Sequence, residues 1–424
     1  MPRQSRVAQV FAEEWPRLVA TLTRDLGDLG LAEEAAADAF TEAAARWGPN
    51  DTPDRPGAWL LTTARRKAID TIRRDRRFAD RLPALAEQSE QPGRPASTLI
   101  DDQLALIFGC CHASLNTESQ IALTLRQVCG LSTGQIARAF LVSEATMAKR
   151  LVRAKDKIRK AGVPFDVPEA DALPQRVSAV LGVIYLIFTE GHTSTDGVGL
   201  VRGDLCDEAR WLADILARLL RQRSEGGDRT ELAEVLGLAA LMAFTDARRP
   251  TRIDEHGHLV LLENQDRSRW DRALIEQGRA LLDEADRLNV VGPYQLQATI
   301  AGVHSTATTW ADTDWWAIVW LYDRLMCLQP GPVLALNRSV ALSMADGPEA
   351  GLAAIDELAA GGTLEGYRYL HAARADLLRR LDRRQEAIAE YRAALDLGGN
   401  EAERHFLRER LAELGADMRL SDHS

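Results

Sequence analysis

The chemistry most concentrated in this chain is cationic. Lys149, Arg150, Arg153 and Lys157 crowd the end of a stretch, residues 132–159, that reads STGQIARAFLVSEATMAKRLVRAKDKIR. Between them Met147, Leu151, Ala154 and Ile158 step by four, three and four, so the apolar residues share one helix face and the cations occupy the others. Ser143, Glu144 and Thr146 give that helix a polar start. Guanidinium and ammonium groups on such a surface suit phosphate contacts, and a polar helix N-terminus suits base edges.

A second element must hold this helix in place. Ser132 and Gln135 have capping-box spacing, and Ile136, Ala137 and Phe140 give the helix they start one apolar face. Leu141 and Val142 then make a turn, and Ser143 caps the cationic helix. A short helix, a turn and a basic helix form a helix-turn-helix, with an ordinary helical hairpin bearing a solvated basic face as the alternative. Upstream, Thr117 and Gln120 offer another capping box, and Ile121, Leu125 and Val128 predict a supporting helix that Gly130 ends.

Another chemistry-bearing face lies on residues 59–77. Leu61, Ala64, Ala68 and Ile72 supply a core stripe, while Trp59, Thr63, Arg66, Asp70, Arg73 and Arg77 run along a different face, with Lys67 and Arg74 beside it. An aromatic, a hydroxyl and several guanidinium groups suit stacking on unpaired bases and gripping phosphates. The competing reading makes Trp59 core and the arginines solubilising. Before it, residues 31–47 predict an Ala-rich helix with Ala36, Phe40, Ala43 and Trp47 repeating by four, three and four. Glu33, Glu34, Asp38 and Glu42 leave it an acidic outer surface, a solvated face or a docking surface for a protein.

Charge divides the chain in the same way. The net charge is −10, yet residues 1–162 carry 24 Lys and Arg against 20 Asp and Glu, and the remainder carries 28 against 42. The front half is the one fitted to a polyanion. Residues 79–100, with three prolines among Glu, Gln and Ser, read as a linker.

These parts in this order resemble the extracytoplasmic-function sigma factors, initiation subunits of bacterial RNA polymerase. The resemblance spans roughly residues 7–162 and is carried by LAEEAAADAF, AWLLTTARRKAIDTIRR and LSTGQIARAFLVSEATMAKRLVRAKDKIR. It implies that the acidic helix bearing Glu34, Asp38, Phe40 and Glu42 docks on the clamp helices of the polymerase largest subunit. It implies that Trp59, Thr63, Arg66, Lys67, Arg73 and Arg74 handle the melted minus-ten element. It also implies that Ser143, Glu144, Thr146, Lys149, Arg150 and Arg153 read the minus-thirty-five element of promoter DNA. Leu141 stands where the family often has a turn glycine, Arg66 where many members have Asn, and Gln135 where Glu is usual. The whole chain is similar to a subgroup with a long helical extension, through FTEGHTSTDG, DARRPTRI, LVLLENQDRSRWDRALI and GPYQLQATIAGVHS.

From residue 177 onward the pattern is helix after helix. Ala375, Leu378, Ala387, Tyr391 and Ala394 follow the small-large-small order of a tetratricopeptide repeat, and Gly351, Ile355 and Leu358 mark a weaker copy. Asp246, Arg248, Arg249, Asp266, Arg267, Trp270, Asp312, Asp314, Trp315 and Trp316 read as caps, ion pairs and core tryptophans rather than a sugar site. His192 and His304 stand as lone histidines, and GVGLVRG at 197–203 misses the dinucleotide spacing. Cys110, Cys111, His112 and Cys129 lack the spacing of structural zinc sites and read as buried side chains. No catalytic motif is present, so neither an enzyme, a metal nor a cofactor is expected.

The expected fold is all-α: region 2 over 1–78, a linker over 79–100, a helix-turn-helix region 4 over 101–162, a linker over 163–176, and a helical, tetratricopeptide-like extension over 177–424. The expected function is promoter recognition and initiation in the cytoplasm, under control of the extension, which would take a regulatory protein or ligand. A repeat-bearing helix-turn-helix regulator that acts without polymerase is the alternative. The run at 177–188 is too short to span a bilayer, and an odd count of five cysteines argues against a disulfide framework.

Overall fold

The computed structural model describes residues 6–47, 53–74, 96–140, 142–169, 171–192, 203–223, 229–255 and 258–415. Among these the secondary structure is helical, with one isolated antiparallel bridge between Ile253 and Leu259. The chain forms two compact units, residues 1–187 with 211–231, and residues 188–210 with 232–424.

The first unit opens with α1 (Arg6–Leu26), α2 (Leu29–Arg46) and α3 (Pro56–Arg74). Asp28 caps α2 by accepting from the Leu31 N–H at 3.0 Å. The stripe Ala36, Phe40, Ala43 and Trp47 is buried as its spacing predicts. On α3 the buried stripe is Leu60, Ala64, Ala68 and Ile72, each fully enclosed; Leu61, expected there, is only half-buried. Trp15 and Phe11 stack at 4.9 Å, and Phe11 meets Phe40 at 4.9 Å, which closes the bundle over aromatic surface.

Four further helices follow: α4 (Ala96–Cys110), α5 (Thr117–Gln127), α6 (Thr133–Ala139) and α7 (Glu144–Lys160). The first starts inside the expected linker, whose residues 79–95 lie outside the described ones. The cap of α5 is Asn116, accepting from the Ser119 N–H at 3.0 Å, and not Thr117. Gln120 instead donates to the carbonyls of Cys111 and His112 at 3.1 and 3.0 Å. An amide that can reach two carbonyls across a turn serves there rather than in its own cap. Gly130 has φ +73, and an added Cβ would lie 2.9 Å from the Phe11 ring, so the turn needs glycine for both reasons. The capping box of α6 is present: Ser132 N–H donates to Gln135 Oε1 at 2.8 Å, and Gln135 N–H to Ser132 Oγ at 3.2 Å. Cys110 and Cys111 are buried, with the Cys111 thiol 3.6 Å from Thr124 Oγ1 and burial pushing its pKa up to about 11.

Three further helices follow in the chain: α8 (Leu173–His192), α9 (Gly203–Arg223) and α10 (Arg229–Asp246). The first holds the apolar run 177–188 and begins four residues ahead of it. No helix among the described residues is long and apolar enough to cross a membrane.

The second unit continues with α11 (Arg272–Arg287), α12 (Pro293–Thr306), α13 (Trp315–Leu328), α14 (Pro332–Ala345), α15 (Pro348–Ala360), α16 (Arg368–Arg380), α17 (Arg384–Asp396) and α18 (Glu401–Glu413). Successive helices pack on one another in overlapping apolar clusters. Ala375, Leu378, Ala387 and Ala394 are fully enclosed and Tyr391 nearly so; the small residues let α16 and α17 approach while the phenol fills the space left. Where α14 meets α15, a Cβ on Gly351 would lie 2.3 Å from Ser343 Cβ, so the backbones touch. Asp266 and Asp314 are helix caps and Trp270 is core, as expected, but Trp316 is 57% exposed.

Candidate nucleic-acid interface

The basic helix α7 begins at Ser143, whose Oγ accepts from the Thr146 N–H at 3.2 Å. Its apolar stripe, Met147, Leu151, Ala154 and Ile158, is buried, and this orients the rest of the helix. Ser143, Glu144, Thr146, Lys149 and Arg153 are therefore exposed on one continuous surface. Arg150 is different: it pairs with Glu118 at 3.0 Å and lies over the Phe140 ring at 5.4 Å. It braces α7 against α5 and the turn, so it positions the free cations. Leu141 in the turn lies outside the described residues.

The α3 face divides in the same manner. Trp59 is half-buried, meeting Trp47 edge-on at 5.1 Å, and keeps part of its ring accessible. Thr63, expected on the exposed face, is buried at 6%, because α3 is rotated by the Leu60 register. Arg66 and Arg73 are exposed; Lys67 is half-buried; the Arg74 side chain lies outside the described residues. Arg66 and Lys67 both reach Glu42 on α2, at 2.9 and 3.1 Å, and Arg46 joins them at 3.0 Å. Hydrogen bonds from Lys67 lead the interactions that hold the Glu42 carboxyl below its ordinary range.

On α2, Glu34 and Asp38 are exposed as a docking face requires. Phe40 is core, 6% exposed against Phe11 and Trp15, so it is withdrawn from that face. Glu33, placed on the acidic surface by sequence, is buried and takes Arg126 at 2.6 Å, Gln127 at 2.7 Å and Lys155 at 2.9 Å. Burial opposes its ionisation, but Lys155 and Arg126 outweigh burial and hold its carboxyl below the ordinary value. These four residues were missed by pattern reading; the signal was register, since Glu33 stands three residues before Ala36 on the buried stripe. A second junction joins α1 to α4, where Asp102 meets Arg24 at 2.5 Å and accepts from Thr21 at 3.4 Å. Burial raises Asp102 to about 6, against the pull of Arg24. Arg65, also missed, is buried against Asp25 at 2.8 Å and is structural.

An exposed cationic helix with a capped, polar start, and a second helix bearing a half-buried tryptophan beside arginines, have the residue types that nucleic-acid surfaces use. Comparison with known proteins agrees. Residues 10–78 match sigma-70 region 2 and residues 105–158 match sigma-70 region 4. Residues 176–286 match a family of unknown function, DUF6596. The front of the chain thus carries the two domains of the sigma-70 class, whose members act in transcription initiation with core RNA polymerase and promoter DNA. Within that class the chain belongs to the family of the "Uncharacterized protein R00370" of Rhizobium meliloti, to which it is 41% identical over 95% of this chain and 94% of the relative. The "ECF RNA polymerase sigma factor SigK" of a Mycobacterium species is 28% identical over 36% of this chain and 79% of its own length. That of Mycolicibacterium vanbaalenii is 28% identical over 36% and 81%.

Proposed function

We propose that the chain is an extracytoplasmic-function sigma factor whose front half places polymerase on promoters and whose helical extension controls it. The observation that carries this reading is the pairing of two separate nucleic-acid surfaces, on α3 and α7, with exposed acidic residues on α2. Lys149 and Arg153 grip the phosphates of the minus-thirty-five element while Ser143, Glu144 and Thr146 face its base edges. Trp59, Arg66, Lys67 and Arg73 engage unpaired bases and phosphates of the minus-ten element. Glu34 and Asp38, with Glu42, meet the clamp helices of the polymerase largest subunit. The domains follow the same division: residues 1–78, 101–162 and 177–424. The paired helices from α14 to α17 act as a tetratricopeptide-like scaffold for a regulatory partner, and the protein works in the cytoplasm.

Purified chain and core polymerase should co-elute and together transcribe from a genomic promoter library. Duplex binding without core association would instead establish a regulator that acts apart from polymerase.

A further inference from the structure

Four sequence stretches that the promoter reading leaves unused meet inside the second unit. FTEGHTSTDG brings His192, DARRPTRI brings Arg248 and Arg252, LVLLENQDRSRWDRALI brings Arg267, and GPYQLQATIAGVHS brings His304. Arg252 donates to the His192 carbonyl. Arg267 donates to the carbonyls of His304 and Ala307 at 2.6 and 2.8 Å, with its guanidinium 4.7 Å from the centre of the Trp270 ring. Trp270 Nε1 donates to Thr251 Oγ1 at 3.0 Å, and Thr251 in turn donates to the Arg248 carbonyl at 3.0 Å. The two histidines, expected to stand alone, lie in one cationic cluster.

Its centre is Arg248: the charges of Arg252 and Arg267 act on it, and its own acts on His192 and His304. Among the described residues its guanidinium has neither an ion pair nor a hydrogen bond. The adjacent carboxylates are committed elsewhere: Asp246 to Arg210 at 3.0 Å and to Arg249 at 2.7 Å, Asp207 to Arg249 at 2.8 Å, while Asp312, which acts on Arg267, accepts from Thr309 at 2.8 Å, and Glu403, which acts on Arg252, pairs with Arg368 at 2.5 Å. Burial and its arginine neighbours push Arg248 down to about 10, which still leaves it charged at neutral pH. Burial and the same arginines push His192 to about 3 and His304 to about 4, so neither adds charge, and each is free to donate as a neutral imidazole. His192 Nε2, His304 Nδ1 and Arg267 Nη2 are buried without a hydrogen-bond partner.

A fold does not ordinarily gather guanidinium groups in its interior and leave donors unmet, because burying an uncompensated cation is expensive. Arg252 and Arg267 are explained as braces for helix-end carbonyls. The half-buried Arg248 and the three orphan donors are not.

We propose that Arg248, Arg252, Arg267, His192 and His304 form a binding site for a multiply charged oxyanion, the phosphate or carboxylate group of a small molecule. The planar fork of Arg248 matches either group through two parallel hydrogen bonds. The orphan imidazole and guanidinium nitrogens supply the remaining donors. Binding here requires nothing of the promoter-binding reading.

The test is titration of the full chain with inorganic phosphate and, separately, citrate, at constant ionic strength with chloride as the balancing ion. Calorimetry and thermal melting should show saturable binding and stabilisation by at least one, and which one responds distinguishes phosphate from carboxylate. Arg248→Met should weaken that binding roughly ten- to a hundredfold through loss of charge-assisted hydrogen bonds, while melting at or above the wild-type temperature in chloride alone. Arg248→Lys should fall between them, and Arg279→Ala, on the exposed side of α11, should bind as wild type does. Absence of a saturable response to both anions, or an unchanged response in Arg248→Met, would overturn the proposal. So would a collapse of Arg248→Met and Arg248→Lys in chloride, since the guanidinium would then be structural.

Discussion

Glu33 on α2 and Lys155 on α7 form an ion pair at 2.9 Å across 122 residues of sequence. The same carboxylate holds Arg126 and Gln127 of α5, so one side chain fastens region 4 onto region 2. Both regions here form part of one compact unit, which this junction joins together with the packing of α1 on α4.

Replacing Glu33 by Gln leaves Lys155 and Arg126 half-buried without their counter-charge. The expected cost to denaturant stability of the first unit is roughly 2–4 kcal/mol, somewhat under the cost of breaking a fully buried pair from one side because the two cations are partly exposed. A double-mutant cycle with Lys155→Met should show coupling of about 1 kcal/mol or more. Strict additivity would mean that the pair contributes nothing.

Acid and base should act on the two junctions in opposite senses. Glu33 is held below the ordinary carboxylate value, so its contribution is full above about 4.5 and is lost as pH falls through its lower folded value. Asp102 is raised to about 6 from 3.8, so the folded state prefers it protonated. Its ionisation costs stability, and that cost develops between those two values and persists above them. Asp102→Asn should therefore gain on wild type near pH 8, by roughly 2–3 kcal/mol from a shift of two units, and lose the advantage near pH 4. Parallel melting curves for the two proteins across that range would refute the assignment.

The free and braced cations of α7 should separate in salt titrations. Lys149→Ala and Arg153→Ala should each flatten the dependence of duplex binding on salt by about 0.9 in log–log slope, one phosphate contact each. Arg150→Ala should lower helix-hairpin stability through its lost contacts with Glu118 and Phe140. Fluorescence anisotropy at several salt concentrations measures the slopes. Equal slopes for wild type and the Lys149 and Arg153 variants would remove α7 from the interface.

Trp59→Ala should spare duplex binding and impair strand opening, because the indole offers a stacking surface only to unpaired bases. Permanganate reactivity of promoter thymines in complexes with core polymerase reads this directly. Normal reactivity would return Trp59 to a packing role against Trp47.

In the second unit, Tyr391→Ala should cost about 3–5 kcal/mol, as for other large buried aromatics. Tyr391→Phe should retain most of the stability, since the ring fills the space between α16 and α17. Denaturant unfolding of the two variants compares them.

Helices with strong periodicity were legible in the sequence. Met147, Leu151, Ala154 and Ile158 fix α7 so firmly that its exposed face followed, and the caps at Ser132 and Ser143 stand where their spacing puts them. What failed was phase by one residue. Trp59, Leu60 and Leu61 are all apolar, and only packing against α1 and α2 decides that Leu60 goes in; that choice buries Thr63. Side chains able to serve two purposes failed too. Glu33 reads as surface until Arg126 and Lys155 are brought beside it from far along the chain, and Phe40 takes a docking role only from the resemblance, its own spacing already placing it on the stripe that Phe11 covers. The arginine cluster was invisible for the same reason. Arg248, Arg267 and His304 are separated by long intervals, and pattern within one helix says nothing about what a turn elsewhere delivers.

Glu42 carries a consequence for how the two binding surfaces communicate. Its single carboxylate is shared among Arg46 of its own helix and Arg66 and Lys67 of α3. A protein partner that presents a cation to Glu42 competes with two groups fitted for phosphate, and releases them on engagement. Binding at one face is thereby coupled to binding at the other through a common counter-ion. Linkage of that kind is reciprocal: nucleic acid that draws Arg66 and Lys67 away leaves Glu42 more receptive to the partner. On the proposed roles of these two faces, each binding event lowers the threshold for the other, with no movement of the backbone required.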